Sequence, residues 1–304
     1  ELLELHSGRL AIAPATRTRL AREIEEILQE TLHARQAHNI IEGMRIREGV
    51  LVIEGTPSET GGPALASLLG ADEIGQALRS ATAVHLDHLL EWSDAQPGKD
   101  LIPFEQFLGT SLGFASRNFQ DGDPLFENRA ALIAIGIAIG DSDLSQLVGI
   151  DLEKNALASI HRLRKRVRLR QRQDWSQHFA ISAAITAAFS NDSVMDFLGE
   201  FKEEIDADDA ESGFSFSDLM ANQAGARFAQ YVMSNERNAR ATHKRAKAGL
   251  AVADFFPDAN GLPDGISRED LLKKYGGTNG KEYNNVLDEI RRRLATAPLL
   301  SGSR

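Results

Sequence analysis

The sequence contains no cysteine. That excludes a disulfide framework, a thiolate metal site and a cysteine nucleophile, and it leaves the redox compartment open. Long apolar runs are missing as well. The stretch AALIAIGIAIG over residues 130–140 is the longest, far short of the roughly 20 residues a membrane-spanning helix needs. Positive charge is in deficit. The 304 residues carry 34 Lys plus Arg against 44 Asp plus Glu, a formal net charge of −10. This balance argues against a nucleic-acid partner, whose phosphates need a basic surface. No P-loop, GxGxxG, GxSxG or CxxC motif occurs. The acidic cluster from Asp206 to Glu211 fails as a calcium loop, with Ala210 at position five and Glu211 where glycine belongs. Residues 258–269 fail likewise, with Leu262 and Pro263 at those positions.

What is present is mostly helical patterning. A 42% hydrophobic content is enough for a packed core. Residues 16–36 read as a charged amphipathic helix. Residues 44–53 alternate around Glu48-Gly49 and predict a β-hairpin. Helices are expected over 63–69, 71–92, 103–117, 124–139, 152–172, 175–189, 193–205 and 216–235. Ser267 and Asp270 form a helix-start pattern, and that helix stops at Gly276-Gly277. A last helix spans 281–295. The expected fold class is mainly α, a multi-helix bundle with one small β-hairpin or sheet near the N-terminus. The expected division is residues 1–150, a helical region with the hairpin, and 151–304, an all-helical region.

Two features invite a functional reading and favour a structural one. Residues 162–172 (RLRKRVRLRQR) carry seven Lys or Arg. With few aromatics beside them to stack on bases, they are expected to form a solvated or salt-bridged helix face. His85 and His88, with Glu91 a turn further, could offer a metal two imidazoles and a carboxylate. The spacing is not HExxH, and a structural pair is the simpler expectation.

The most informative region is 178–225. Helical spacing aligns His178, Ser182, Ile185 and Phe189 on one stripe. A second stripe holds Met195, Gly199, Lys202 and Asp206, with Glu203 at its edge; a third holds Asp218, Asn222, Gly225 and Ala229. Gly199 and Gly225 cost helix propensity, which points to close helix–helix approach. If the three faces meet, they gather a histidine, a lysine, carboxylates and an asparagine at one end of an apolar bundle. Burial and mutual charge would then shift their proton affinities. The simpler alternatives are that Ser215 and Asp218 only start a helix, and that Lys202 and Asp206 are an ordinary i, i+4 ion pair.

HFAIS (178–182), GEFKEEID (199–206) and SGFSFSDLMANQAG (212–225) resemble a pattern in bacterial envelope proteins. It is similar to that of the YfiM-type lipoproteins of unknown function and, more distantly, of VanZ-like membrane proteins. The larger chain resembles an uncharacterised family of soluble bacterial proteins, in which Glu127-Asn128-Arg129, opening an apolar helix, is a second shared feature. The resemblance implies that His178, Lys202, Glu203, Asp206, Asp218 and Asn222 act as a unit, and it carries no established activity. It implies a bacterial periplasmic or secreted location, with the cytoplasm left open. A chain that starts at Glu1 suits either a mature secreted protein or a trimmed one.

The leading expectation is a hydrolase acting on a cell-envelope glycan or peptidoglycan-like substrate through paired carboxylates. Glu203 would be the general acid and Asp206 or Asp218 the base, with His178 and Lys202 tuning them. Asn222 and Ser182 would contact substrate. The alternatives are a non-catalytic structural or binding protein, and a divalent-metal site built from His178 and the carboxylates. The expected ligand is a glycan, with no membrane span; the sequence names no cofactor, metal or oligomeric state.

Overall fold

The computed structural model describes residues 3–4, 41–47, 50–55, 73–96, 101–118, 123–142, 144–189, 214–277 and 280–301. The expected helices at 16–36, 63–69 and 193–205 lie outside these residues, as do Lys202, Glu203 and Asp206. The chain divides into two compact units, 1–72 and 73–304. The expected boundary near residue 150 therefore falls inside the second unit.

In the first unit, strands β1 (Leu3–Glu4), β2 (Ile41–Arg47) and β3 (Val50–Gly55) form an antiparallel sheet of order β1-β3-β2. Arg47 pairs with Val50 across Glu48-Gly49, and Met44 pairs with Ile53, so the hairpin lies where the alternation placed it.

The second unit is a helical bundle. In chain order it contains α1 (Glu73–Asp94), β4 (Ile102–Pro103), α2 (Phe104–Asn118) and α3 (Pro124–Ile135). The chain continues from α3 into a π-helical segment, Gly136–Gly140. There follow α4 (Leu144–Leu147), α5 (Lys154–Arg164), β5 (Val167–Arg168) and α6 (Gln173–Phe189). The last elements are α7 (Phe216–Met233), α8 (Glu236–Ala248), α9 (Arg268–Tyr275) and α10 (Lys281–Leu294). The fold is mainly α, and no described helix is long and apolar enough to cross a membrane.

Pairing of α6 with α7 is the most extensive helix contact in the unit, and α6 also lies along α3 and the π segment. Small residues make this possible. A Cβ on Gly225 of α7 would sit 2.1 Å from the Phe179 carbonyl oxygen of α6. On the other flank a Cβ on Gly136 would meet the Ala184 Cβ at 2.2 Å, and one on Gly140 would meet Ile181 at 2.7 Å. The expected helix 124–139 thus widens into a π turn at its two glycines. The Asp141 amide donates to the Gly136 carbonyl there at 2.9 Å. A core of Phe104, Phe228 and Phe255 packs around Phe179 of α6, with ring centroids 5.1–6.0 Å apart.

One expected helix is corrected. Residues 152–172 are not continuous: α5 stops at Arg164, and β5 runs parallel to β4. Buried Val167 and Leu169 alternate with Arg166, Arg168 and Arg170, a period of two that belongs to a strand. The arginines serve backbone carbonyls. Arg164 donates to Ile137 at 3.3 Å, Arg166 to Ser93 at 3.3 Å and Arg170 to Phe256 at 3.2 Å. A continuous helix would have stacked like charges at i, i+4. Helix α8 was not anticipated: its sequence is so charged that only Ala239, Thr242 and His243 are buried.

Helix α6 should tolerate no added bulk on its α7 flank. Gly225→Ala is expected to destabilise the protein by about 3 kcal/mol or more in urea unfolding, because the obstacle is backbone. Gly109→Ala is the control. Its Cβ would meet nothing closer than 3.9 Å, and helix propensity should make it stabilising by about 0.5–1 kcal/mol. A Gly225→Ala variant as stable as the parent would show that the two helices can part freely.

Candidate functional site

Helix α7 starts at Ser215, whose hydroxyl accepts from the Asp218 amide at 3.0 Å. The serine therefore acts as the N-cap, one of the two readings of this spacing. Asp218 itself is turned inward. Its Oδ2 lies 3.5 Å from Nε2 of His178 on α6. One turn further along α7, Asn222 Oδ1 accepts from His178 Nδ1 at 3.2 Å and from the Ser182 hydroxyl at 3.0 Å. His178, Ser182, Asp218 and Asn222 thus meet across the α6–α7 seam, a convergence that the stripes at 178–182 and 218–222 implied.

The seam also holds groups that the stripes did not reveal. Arg172, just before α6, donates from Nε to Asp174 Oδ1 at 2.9 Å and from Nη2 to Oδ2 at 2.5 Å. Its Nη1 donates to Asp264 Oδ2 at 3.0 Å. Its Nη2 stands 3.9 Å from Asp218 Oδ1, beyond hydrogen-bond range. The guanidinium lies over the Trp175 ring, 4.8 Å from its centroid. Asp264, on the connector before α9, accepts from the Ser215 and Ser217 hydroxyls, the latter at 2.6 Å. Trp175 Nε1 donates to Ser217 Oγ at 2.9 Å. One arginine is thereby shared among carboxylates from three segments. The only advance signal was Arg172-Gln173-Asp174 at a helix start, and the connector residue Asp264 had none.

These surroundings drive the carboxyls apart. Burial alone would raise Asp174, but its hydrogen bonds and charge contact with Arg172 outweigh that and hold it below the usual carboxylate value. Asp264 is held low in the same way, by Ser215, Ser217 and Arg172 against burial. Asp218 goes the other way. Burial, then repulsion from Asp174 and Asp264, push it up to about 7, against the weaker pull of Arg172 and Ser215. Its side chain is 16% exposed, and its Oδ1 is buried with no hydrogen-bond partner among the described residues. Because Nδ1 of His178 donates to Asn222, its Nε2 is left turned towards Asp218, at 3.5 Å. A carboxyl of raised proton affinity beside an imidazole is a pairing that general acid–base chemistry uses.

The other candidates read as structure. His85 donates from Nε2 to Glu127 Oε2 at 2.9 Å, and His88 stacks on Phe114 with centroids 4.0 Å apart. Glu91 points to solvent. Burial lowers both histidines, against the pull of Glu127 on His85. Glu127-Asn128-Arg129 ties the bundle together. Asn128 donates to the Val232 carbonyl at 2.8 Å and accepts from His243 at 2.7 Å, and Arg129 donates to the Ala187 and Ala188 carbonyls at 2.6 and 2.9 Å. Among the described residues, no group of three or more His, Asp or Glu is placed to hold a metal ion.

No protein-family model, curated protein or solved structure matches the chain.

The raised carboxyl makes stability depend on pH in a defined direction. Folded Asp218 binds its proton more tightly than an unfolded aspartate, so ionising it costs stability. That cost is absent below the unfolded value of about 3.9, grows as pH rises, and is complete above about 7. Asp218→Asn mimics the protonated form. It is expected to stabilise the protein by about 2–4 kcal/mol at pH 8 and to change little at pH 4, read by thermal melts at both. An equal effect at the two pH values would refute the assignment.

Proposed function

We propose that the Asp218–His178 seam is the acid–base centre of a hydrolase acting on a cell-envelope glycan or peptidoglycan-like substrate. The observation that carries the reading is a carboxyl turned towards an imidazole, with one oxygen left without a hydrogen-bond partner among the described residues, beside two carboxylates that an arginine holds ionised. Hydrolysis of a glycosidic or amide bond needs a group that gives a proton and another that stays anionic. Asp218 is suited to the first role and Asp174 or Asp264 to the second. His178 would return the proton to Asp218, while Asn222 and Ser182 fix the imidazole and offer polar contacts to substrate. In this reading Asp218 takes the general-acid role expected of Glu203. The envelope location and the glycan rest on the motif resemblance alone, an argument by analogy.

A structural reading has its own support. The Arg172–Asp174–Asp264 network, with Ser215, Ser217 and Trp175, fastens the start of α6 to the start of α7 and to the connector before α9. A lock of that kind needs no substrate.

Turnover separates the two. Wild type, Asp218→Asn and Glu203→Gln are incubated with peptidoglycan and with common glucans. Turnover by wild type that falls roughly 10²–10⁴-fold in Asp218→Asn supports the hydrolase. No turnover by wild type, or equal turnover by Asp218→Asn, leaves only the lock.

A further inference from the structure

We infer that Arg172 is the positioning residue of this site: held in place by a left-handed turn, it pins Asp174 and Asp264 beside Asp218 and so governs how Asp218 and His178 share their proton. The role rests on the acid–base reading of Asp218. It is carried by two geometric observations.

The first is the turn. Arg170 and Gln171 both have positive φ, 46° and 68°, and neither is glycine. Leu169 and Arg172 close the turn with two reciprocal backbone hydrogen bonds, each 2.9 Å. Positive φ at both central residues is the pattern of a type I′ turn, which normally recruits asparagine or glycine. Side chains adopt it only where the surroundings over-determine it. Buried Leu169 on one side and the Arg170 bond to the Phe256 carbonyl on the other supply that constraint. A looser turn would let the guanidinium swing into solvent.

The second is how the guanidinium is used. Nε and Nη2 grip Asp174, Nη1 grips Asp264, and the plane rests on Trp175. This planar fork grips one carboxylate through two nitrogens while the third holds another, a fixed bidentate geometry that an ammonium does not offer. Towards Asp218 it presents charge without a hydrogen bond, at 3.9 Å. Among the described residues, Asp218 thus faces one cation, two anions and the His178 ring, from the turn before α6, from α6 and from the connector. Arg172 acts on the proton-bearing pair only through these neighbours and its own charge, which distinguishes it from a residue that touches substrate.

The test needs no substrate. The full chain is labelled with carboxyl-¹³C aspartate, and the Asp218 resonance is assigned by its loss in Asp218→Asn. Its titration midpoint is then followed by NMR. Arg172→Gln removes the nearest cation among the described residues, and the midpoint is expected to rise by about one pH unit, a tenfold tighter proton. Arg172→Lys should recover only part of that, since it restores charge without the fork. Asp264→Asn keeps Arg172 and removes one anion, so the midpoint should fall; it carries the test if Arg172→Gln does not fold. A midpoint that stays within a few tenths of wild type in the folded variants overturns the role. Moved midpoints in a protein that hydrolyses neither peptidoglycan nor glucans would uphold the positioning role and sink the hydrolase reading instead.

Discussion

Helix α6 has no room for a side chain on either flank. Gly225 of α7 meets the Phe179 carbonyl on one side, and Gly136 and Gly140 of the π segment meet Ala184 and Ile181 on the other. Contact at this range fixes rotation and translation of a helix far more tightly than leucine-on-leucine packing, because backbone cannot repack. The polar seam depends on it. His178 and Ser182 reach Asn222 only because the two axes run close together, and a small outward shift of α7 would open those 3.0–3.2 Å bonds. The same closeness buries Asp218 and gives its carboxyl an imidazole as neighbour. Composition follows from the constraint: Ala183, Ala184, Ala187 and Ala188 are buried where a bulkier residue would force the bundle apart.

A second constraint acts at the far end. The first turns of α3 use three consecutive polar side chains to reach five helices: Glu127 to α1 and α2, Asn128 to α7 and α8, Arg129 to the C-terminal carbonyls of α6. Arg129 answers carbonyls that a helix end leaves without partners, and its charge suits that end of the dipole. His243 completes Asn128. Burial, and then the cations Lys247 and Arg240, press His243 down to about 4, so it stays neutral and can serve as a fixed donor. Here the polar groups act as a hub that holds α6 from its other end.

Fold class was legible because period and breakers agree: β2 and β3 pair from Arg47 and Val50 onwards, α9 is capped at Ser267, and α9 stops at Gly276. The part of the site on α6 and α7 was legible for a geometric reason. Residues at i and i+4 on two facing helices must meet if one pair does, so His178 and Ser182 brought Asp218 and Asn222 with them. The rest came from elements without helical periodicity. The strand at 167–168 hid inside a run of arginines, where charge looked more significant than alternation. Arg172 follows a turn made of residues that do not favour it, and Asp264 sits on a connector 92 positions away. Partners supplied by turns and connectors leave no period in the sequence.

The electrostatics of the seam then follow from counting. Among the described residues, three carboxylates and one guanidinium are gathered by α6, its preceding turn, α7 and the connector. A single fork can satisfy two carboxylates through hydrogen bonds, and Asp174 and Asp264, at the more exposed rim, take it. The third, Asp218, is the most buried of the three, and ionising it would set three negative charges against this one guanidinium. Its proton is therefore held up to about pH 7, well above the ordinary aspartate range. The His178 imidazole stands 3.5 Å away. The same closeness that makes α6 and α7 rigid therefore also leaves one carboxyl poised, and a fold loose enough to hydrate Asp218 fully would lose both properties together.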